Sequence, residues 1–308
     1  MRLTNRLVQA PLAGISGRAF RLQARRFGAG LTVTEMISSH GVRYNNRRTL
    51  MMLELVEGEH PVAVQLFGSD PVVMAAAASV CEESGADIID VNMGCPVRKV
   101  VRTGAGVALM AHEQLAAAIV GAIVSAVSLP VTVKMRSGAG RKVTASGLAQ
   151  RLEEAGAAAI CIHPRTGAQM WRGKADHAVS TALAQALDIP VIASGDISGP
   201  AEAGMLLDEG LGAVMIGRAS LGNPWLFSGI LAGEAPVGQP LVVVLEEMDS
   251  FYRDVVDEMG EERASRYMRK FYGWYFKPFG PRPALRIALR KAESFEEACG
   301  LAREGLGA

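Results

Sequence analysis

The chain has 308 residues, 49% of them hydrophobic, with a formal net charge of +1, so it can bury a large core and its overall charge points to no particular partner. No run approaches the roughly 20 apolar residues of a membrane span, and Met1-Arg2-Leu3-Thr4-Asn5 does not read as a signal peptide, so a cytoplasmic location is expected. The four cysteines, Cys81, Cys95, Cys161 and Cys299, are scattered without a Cys-x-x-Cys or a nearby His pair, which argues against a disulfide framework and against a zinc site.

Eight short apolar segments recur along the chain, at 7–10, 31–35, 61–67, 87–92, 130–135, 159–163, 190–193 and 213–216, each followed by a longer stretch of helical character. Strands alternating with helices imply right-handed crossovers and a parallel sheet, and eight such units imply closure. The punctuation agrees. Ser69-Asp70-Pro71 opens an Ala-rich helix with a cap and an early proline, while Ser84-Gly85, Ala155-Gly156 and Glu209-Gly210 close helices just before the next strand. An α/β fold is expected, a (β/α)8 TIM barrel over residues 1–235, with a doubly wound sheet as the alternative. After Pro236 and Pro240 the alternation stops, and a small all-helical domain is expected over 240–308.

In a barrel of this kind chemistry collects at the C-terminal ends of the strands. Those ends carry Pro11, Glu35, Gln65, Asn92 with Cys95, Lys134 with Arg136, His163 with Arg165, Ser194-Gly195-Asp196, and Gly217-Arg218. A ring of polar groups on apolar strands has no structural need to exist, because each buried charge or amide must find a partner. Glycines after the last two strands suit a phosphate on backbone N–H groups. Lys134 suits a ring that becomes anionic on reduction, and Gln65 can donate to and accept from a heterocyclic edge. These features fit a flavin mononucleotide. No G-x-G-x-x-G after a first strand and no Walker sequence is present.

The motifs resemble those of the tRNA-dihydrouridine synthases over most of the chain. Ala10-Pro11-Leu12-Ala13-Gly14, Thr34-Glu35-Met36, Val64-Gln65-Leu66-Phe67-Gly68, Asp90-Val91-Asn92-Met93-Gly94-Cys95-Pro96, Val133-Lys134-Met135-Arg136, His163-Pro164-Arg165-Thr166, Gly195-Asp196-Ile197 and Ile216-Gly217-Arg218 follow in the family's order. The resemblance implies FMN held by Pro11, Gln65, Lys134, His163, Ser194, Gly195, Asp196, Gly217 and Arg218. It implies Asn92 facing a uracil, with Arg136, Arg165 and Trp171 also on the substrate side. It implies NADPH as the reductant, hydride transfer from reduced FMN to C6 of a D-loop uridine, and Cys95 as the acid that protonates C5. The Pro-Val-Arg-Lys segment after Cys95 leans towards the bacterial B-type branch. Departures stand at Leu12, Ala139, Trp171, His177 and Ser194, where the family more often has Met, Trp, Tyr, Trp and Asn.

Residues 263–291 contain nine basic side chains and no acidic one, together with seven aromatics of the chain's seventeen. Cations interleaved with aromatics suit an RNA surface, although the aromatics read better as the core of the small domain. Arg266, Arg269 and Lys270, with Arg98, Lys99 and Arg102 beside Cys95, are therefore expected to face the phosphates of tRNA while a base is flipped into the barrel. A monomer without a protein partner is expected. Two other functions fit parts of the sequence: an FMN dehydrogenase for a free pyrimidine or related enone, which needs no acid-free basic window, and a non-enzymatic RNA-binding barrel, which needs no flavin.

Overall fold

A computed structural model describes residues 3–234 and 238–307. Nine strands form one parallel sheet: β1 Leu7–Gln9, β2 Thr32–Val33, β3 Ile37–Ser38, β4 Val62–Phe67, β5 Ile88–Met93, β6 Val131–Arg136, β7 Ala159–His163, β8 Val191–Ser194 and β9 Ala213–Ile216. The order β1-β9-β8-β7-β6-β5-β4-β2, with β3 also on β4, returns to its start. The Leu31 N–H donates to Leu7 O at 3.2 Å and the Gln9 N–H to Leu31 O at 2.9 Å, so β1 is bonded on both edges. An open doubly wound sheet leaves two free edges; here the sheet closes into a barrel.

The second stave is broken where a single strand over 31–35 was expected. Thr34 lends its hydroxyl as acceptor to the Gln65 N–H at 3.0 Å and donates it to Glu35 O at 2.8 Å. A side chain standing in for the ladder releases the backbone, and Glu35 turns out of the sheet towards Gly14 before pairing resumes at β3.

Alternation along each strand sorts the residues into two layers. Ile89, Val91, Met93, Val133 and Met135 face the helices, in a core shared with Met74, Ile119, Leu148 and Leu206. Val8, Leu31, Val33, Ala63, Ile88, Cys161, Ala213 and Met215 form a separate apolar plug inside the barrel. Helix ends behave as their residues dictate. Asp70 Oδ1 accepts from the Val72 and Val73 N–H groups at 2.9 and 3.1 Å, and Gly85, Gly156 and Gly210 take left-handed φ of 89°, 97° and 92° at the helix exits.

Helices Leu241–Met259, Glu261–Tyr275, Pro283–Lys291 and Phe295–Leu306 make up the C-terminal part. The expected boundary at 235 lies outside the described residues. These helices share a core with Ala19 and Phe20 of the barrel's first helix, so the two parts are joined by packing as well as by chain. The aromatics of the basic window build that core: Phe271, Tyr272 and Tyr275 are buried, Phe251 meets Phe271 edge-on at 4.9 Å, and Tyr252 stacks on Phe295 at 4.2 Å. Among the described residues no helix is long and apolar enough to cross a membrane.

Candidate active site

The strand ends enclose a cavity of about 670 Å³ at the C-terminal mouth of the barrel. Pro11, Gln65, Asn92, Cys95, Lys134, Arg136, His163, Trp171, Ser194, Gly195, Asp196, Gly217 and Arg218 all line it. Strand register brings them together: Asn92 is the partner of Lys134, and Arg136 the partner of His163. Met36, next to Glu35 at the end of the second strand, lines it too, as do Met215, Asn223 and Lys277, which sequence reading did not single out for it.

Three amino-acid side chains form a directed hydrogen-bond chain at the floor. Asp90 is buried, and its carboxylate accepts from Thr132 Oγ1 and from Gln65 Nε2, each at 2.6 Å. Gln65 Oε1 accepts from Asn92 Nδ2 at 2.8 Å. Asn92 Oδ1 in turn accepts from the N–H groups of Gly94 and Cys95 at 3.2 and 2.9 Å. A carboxylate can only accept and a peptide N–H can only donate, so both ends fix the direction of the two amides between them. Asp90 was absent from the residues expected at the site; its place at the centre of an apolar run was the available signal. Burial pushes its carboxyl up to about 6, against the opposing bonds from Thr132 and Gln65 and the charge of Lys134.

The Cys95 turn is held from the other side by the Val107 N–H, which donates to Cys95 O at 3.0 Å. Gly106 permits this approach: its φ is 63°, and a Cβ there would lie 2.6 Å from the Cys95 carbonyl oxygen. The thiol is half-buried, and burial raises its pKa, with the Val97 N–H and the Arg136 charge opposing. Arg98, Lys99 and Arg102 are exposed beyond it, so the cation that bears on the thiol is Arg136.

Arg136 is buried and stitches two loops together, donating to Gly94 O at 2.9 Å, Thr166 O at 3.0 Å and Met170 O at 2.6 Å. Arg165 is placed differently from Arg136. It lies outside the cavity lining with its guanidinium clamped on Asp196 Oδ1 and Oδ2 at 2.9 and 2.6 Å and on Gly173 O at 2.7 Å. Its Nη1 also lies 3.2 Å from His163 Nε2; because a guanidinium only donates, that nitrogen accepts and a neutral ring carries its proton on Nδ1. Burial, then the charges of Lys134, Arg136 and Arg165, bring His163 down to about 2, which keeps the ring neutral.

Gly195 cannot be another residue. Its φ is 109°, and a Cβ would sit 2.8 Å from His163 Cδ2. Its carbonyl oxygen accepts from His177 Nε2 at 2.8 Å, which gives a buttressing contact to a position read from sequence only as a departure. Asp196 follows at φ 54°, with its carboxylate also accepting from the Ala175 N–H at 2.8 Å.

A second, larger groove of about 1050 Å³ lies in the helical domain, lined by Arg266, Arg269, Lys270, Lys277, Arg282, Arg286 and Arg290 without an acidic residue. Lys277 belongs to both linings, so the groove and the barrel cavity meet at that side chain. Of the lining cations, Arg266 pairs with Glu262 outside the lining, Arg269 Nε donates to Ala292 O at 2.9 Å, and Lys270 reaches back to the carbonyl of Gly14. Among the described residues no cluster of His, Cys, Asp and Glu could hold a metal ion.

Residues 8–305 match the profile of the family described as Dihydrouridine synthase (Dus). The chain is 38% identical to tRNA-dihydrouridine synthase B of Pseudomonas aeruginosa over 318 residues, covering 98% of this chain and 93% of that protein. It is 39% identical to tRNA-dihydrouridine synthase B of Escherichia coli K12 over 302 residues, covering 96% and 94%. Among solved structures morphinone reductase superposes with a TM-score of 0.56 at 16% identity, over 81% of this chain and 89% of that one, a likeness of fold alone.

Proposed function

This chain belongs to the dihydrouridine synthase family, and from that premise we propose that it is an FMN-dependent enzyme that saturates the C5–C6 double bond of a D-loop uridine in tRNA, with NADPH as reductant. The observation that carries the reading is the meeting of two sites at Lys277: a barrel cavity holding the Cys95 thiol, and an acid-free basic groove. A small-molecule dehydrogenase has use for the first and none for the second.

The donor set fits FMN. Four cations, Lys134, Arg136, Arg218 and Lys277, line the cavity against one acid, Asp196, which is already engaged by Arg165. The backbone of Gly195 and Gly217 and the Arg218 guanidinium would take the phosphate, with Ser194 and Asp196 shaping that turn. Lys134 would stand beside the ring, Pro11 would lie against it, and the neutral His163 would donate without adding charge. Gln65, with one N–H and one lone pair left after its bonds to Asp90 and Asn92, would meet the heterocyclic edge.

FMN held there would supply the hydride for C6 of the uracil, with NADPH as the source of its electrons. Cys95 holds the proton for C5, and burial keeps the thiol in its acid form at neutral pH. Asn92 has given both lone pairs to the Gly94 and Cys95 N–H groups and one N–H to Gln65, so one N–H remains for a uracil carbonyl. Trp171, 48% exposed on the cavity rim, offers a flat face to a flipped or flanking base. Arg98, Lys99 and Arg102 beside the cavity, and Lys277, Arg282, Arg286 and Arg290 along the groove, would take the phosphates on either side. Arg136 and Arg165 act through the loops they hold.

The test is a visible spectrum of the purified protein followed by incubation with NADPH and unmodified tRNA and nucleoside mass spectrometry. A flavin spectrum and new dihydrouridine are expected. Flavin with no product on any tRNA would move the assignment to the small-molecule dehydrogenase, and a protein that takes up no FMN would end the flavin reading.

A further inference from the structure

Lys270 falls in the basic window and lines the groove, yet its ammonium is bonded to the loop that follows β1. The loop 10–16 after β1 presents Pro11, Leu12 and Ala13 to the catalytic cavity and turns at Gly14, whose φ is 73°. Gly14 is gripped on both sides. Its N–H donates to Glu35, which the broken second stave has released, and its carbonyl accepts from Lys270 Nζ. One residue further on, Ile15 O accepts from Tyr267 Oη at 3.0 Å. The Lys270 ammonium sits 3.4 Å from the centroid of the Tyr267 ring, on the same helix Glu261–Tyr275. Leu12 and Ile15 pack into the apolar cluster of the helical domain.

We infer that Lys270 and Tyr267 are positioning residues of the catalytic cavity, which fasten the Pro11–Gly14 loop so that the helical domain supplies the clamp on one wall of the cofactor site. The inference rests on the FMN reading above. A short loop turning at glycine is costly to order, and a wall ordered in advance spares the ligand that cost. Both contacts on the helical side come from one helix, so they fix the loop's position and orientation together. The charged groups around the ammonium are Glu35 on the barrel and Glu258 on the preceding helix, both of which favour the cation, while burial draws it down to about 8. An ammonium bonded to a carbonyl, stacked on a ring and flanked by two carboxylates is badly placed to serve a phosphate.

The experiment compares wild type, Lys270→Met and Tyr267→Phe as purified holoproteins, by two readouts. One is the rate of FMN release, followed by the rise of free-flavin fluorescence after dilution, with the visible spectrum recorded alongside. The other is the dependence of tRNA affinity on salt. Lys270→Met is expected to release FMN at least fivefold faster and to shift the bound-flavin spectrum, with an unchanged salt slope. Tyr267→Phe, which keeps the ring and loses one hydroxyl, is expected to move release in the same direction and answers the question if Lys270→Met folds poorly. Wild-type release rates in the soluble variants, or a salt slope shallower by about one in Lys270→Met, overturn the inference and return Lys270 to the phosphates. Wild-type protein that holds no FMN defeats the functional reading, and this inference with it.

Discussion

Asn92 Nδ2 donates to Gln65 Oε1 at 2.8 Å, and through that bond the floor of the cavity sets the shape of the Cys95 turn. Both residues are buried, and the direction of their bond is imposed from below by Asp90 and from above by the Gly94 and Cys95 N–H groups. Replacing the donor with an acceptor should expose this dependence. Asn92→Asp puts an oxygen against Gln65 Oε1, so either the pair repels or Gln65 turns over and loses Asp90. A loss of about 1–3 kcal/mol in chemical denaturation is expected, with turnover falling further than FMN retention.

Cys95→Ala is expected to keep flavin and tRNA binding and to lower turnover by about 10²- to 10⁴-fold, the usual worth of a general acid. Because burial raises the thiol's pKa against Val97 and Arg136, wild-type kcat/KM should hold as pH rises and decline only above the ordinary cysteine value of about 8.5. A decline that begins below that value would mean that cations, not burial, govern the thiol. A pH–rate profile with saturating NADPH decides it.

Asp90 gives a stability prediction with a definite sign. Its carboxyl lies near 6 when folded against an ordinary value of 3.8, so between those values the folded state binds more protons than the unfolded chain, and stability falls as pH rises. Above the folded value the penalty is complete, of order 3 kcal/mol for a shift of this size. Asp90→Asn has no such titration. Its unfolding free energy relative to wild type should therefore improve on going from pH 4 to pH 7; a difference that stays flat across that window would show that the carboxylate is compensated in the fold.

Arg286→Ala and Arg290→Ala should each weaken tRNA binding and lower the slope of log affinity against log salt by about one, if each neutralises one phosphate. Both side chains line the groove and are exposed. Filter binding at several salt concentrations measures the slope, and an unaltered slope would make the groove a merely solvated face.

Arg165→Met removes a fork that holds Asp196, Gly173 and the His163 tautomer at once. Arg165 is buried but Asp196 is 37% exposed and screened by water, so a loss of about 1–2 kcal/mol is expected, and Arg165→Lys should restore little of it because one ammonium cannot span both carboxylate oxygens. Thermal unfolding of the two variants side by side tests this.

The sequence by itself determined eight staves in chain order and the ring at their ends, though not the break in the second stave, because an apolar run closed by a turn, and an alternation of strand with helix, are written in neighbouring residues. Asn92, Cys95, Lys134 and His163 could be found that way, since the end of a parallel strand in a barrel has one place to go. The tertiary structure alone decided what each charged side chain faces. Arg165 reads like Arg136 as a cation at a strand end, yet it is spent on Asp196, 31 residues on. His177 reads only as a departure from the family's pattern until it is seen holding Gly195 O, and Lys270 sits in the basic window but bonds Gly14, 256 residues away. Strand and helix arise from local periodicity, but an ammonium or guanidinium held against the protein goes wherever the fold leaves a carbonyl or carboxylate unpaired, and that partner is brought near only by closure of the barrel and docking of the helices.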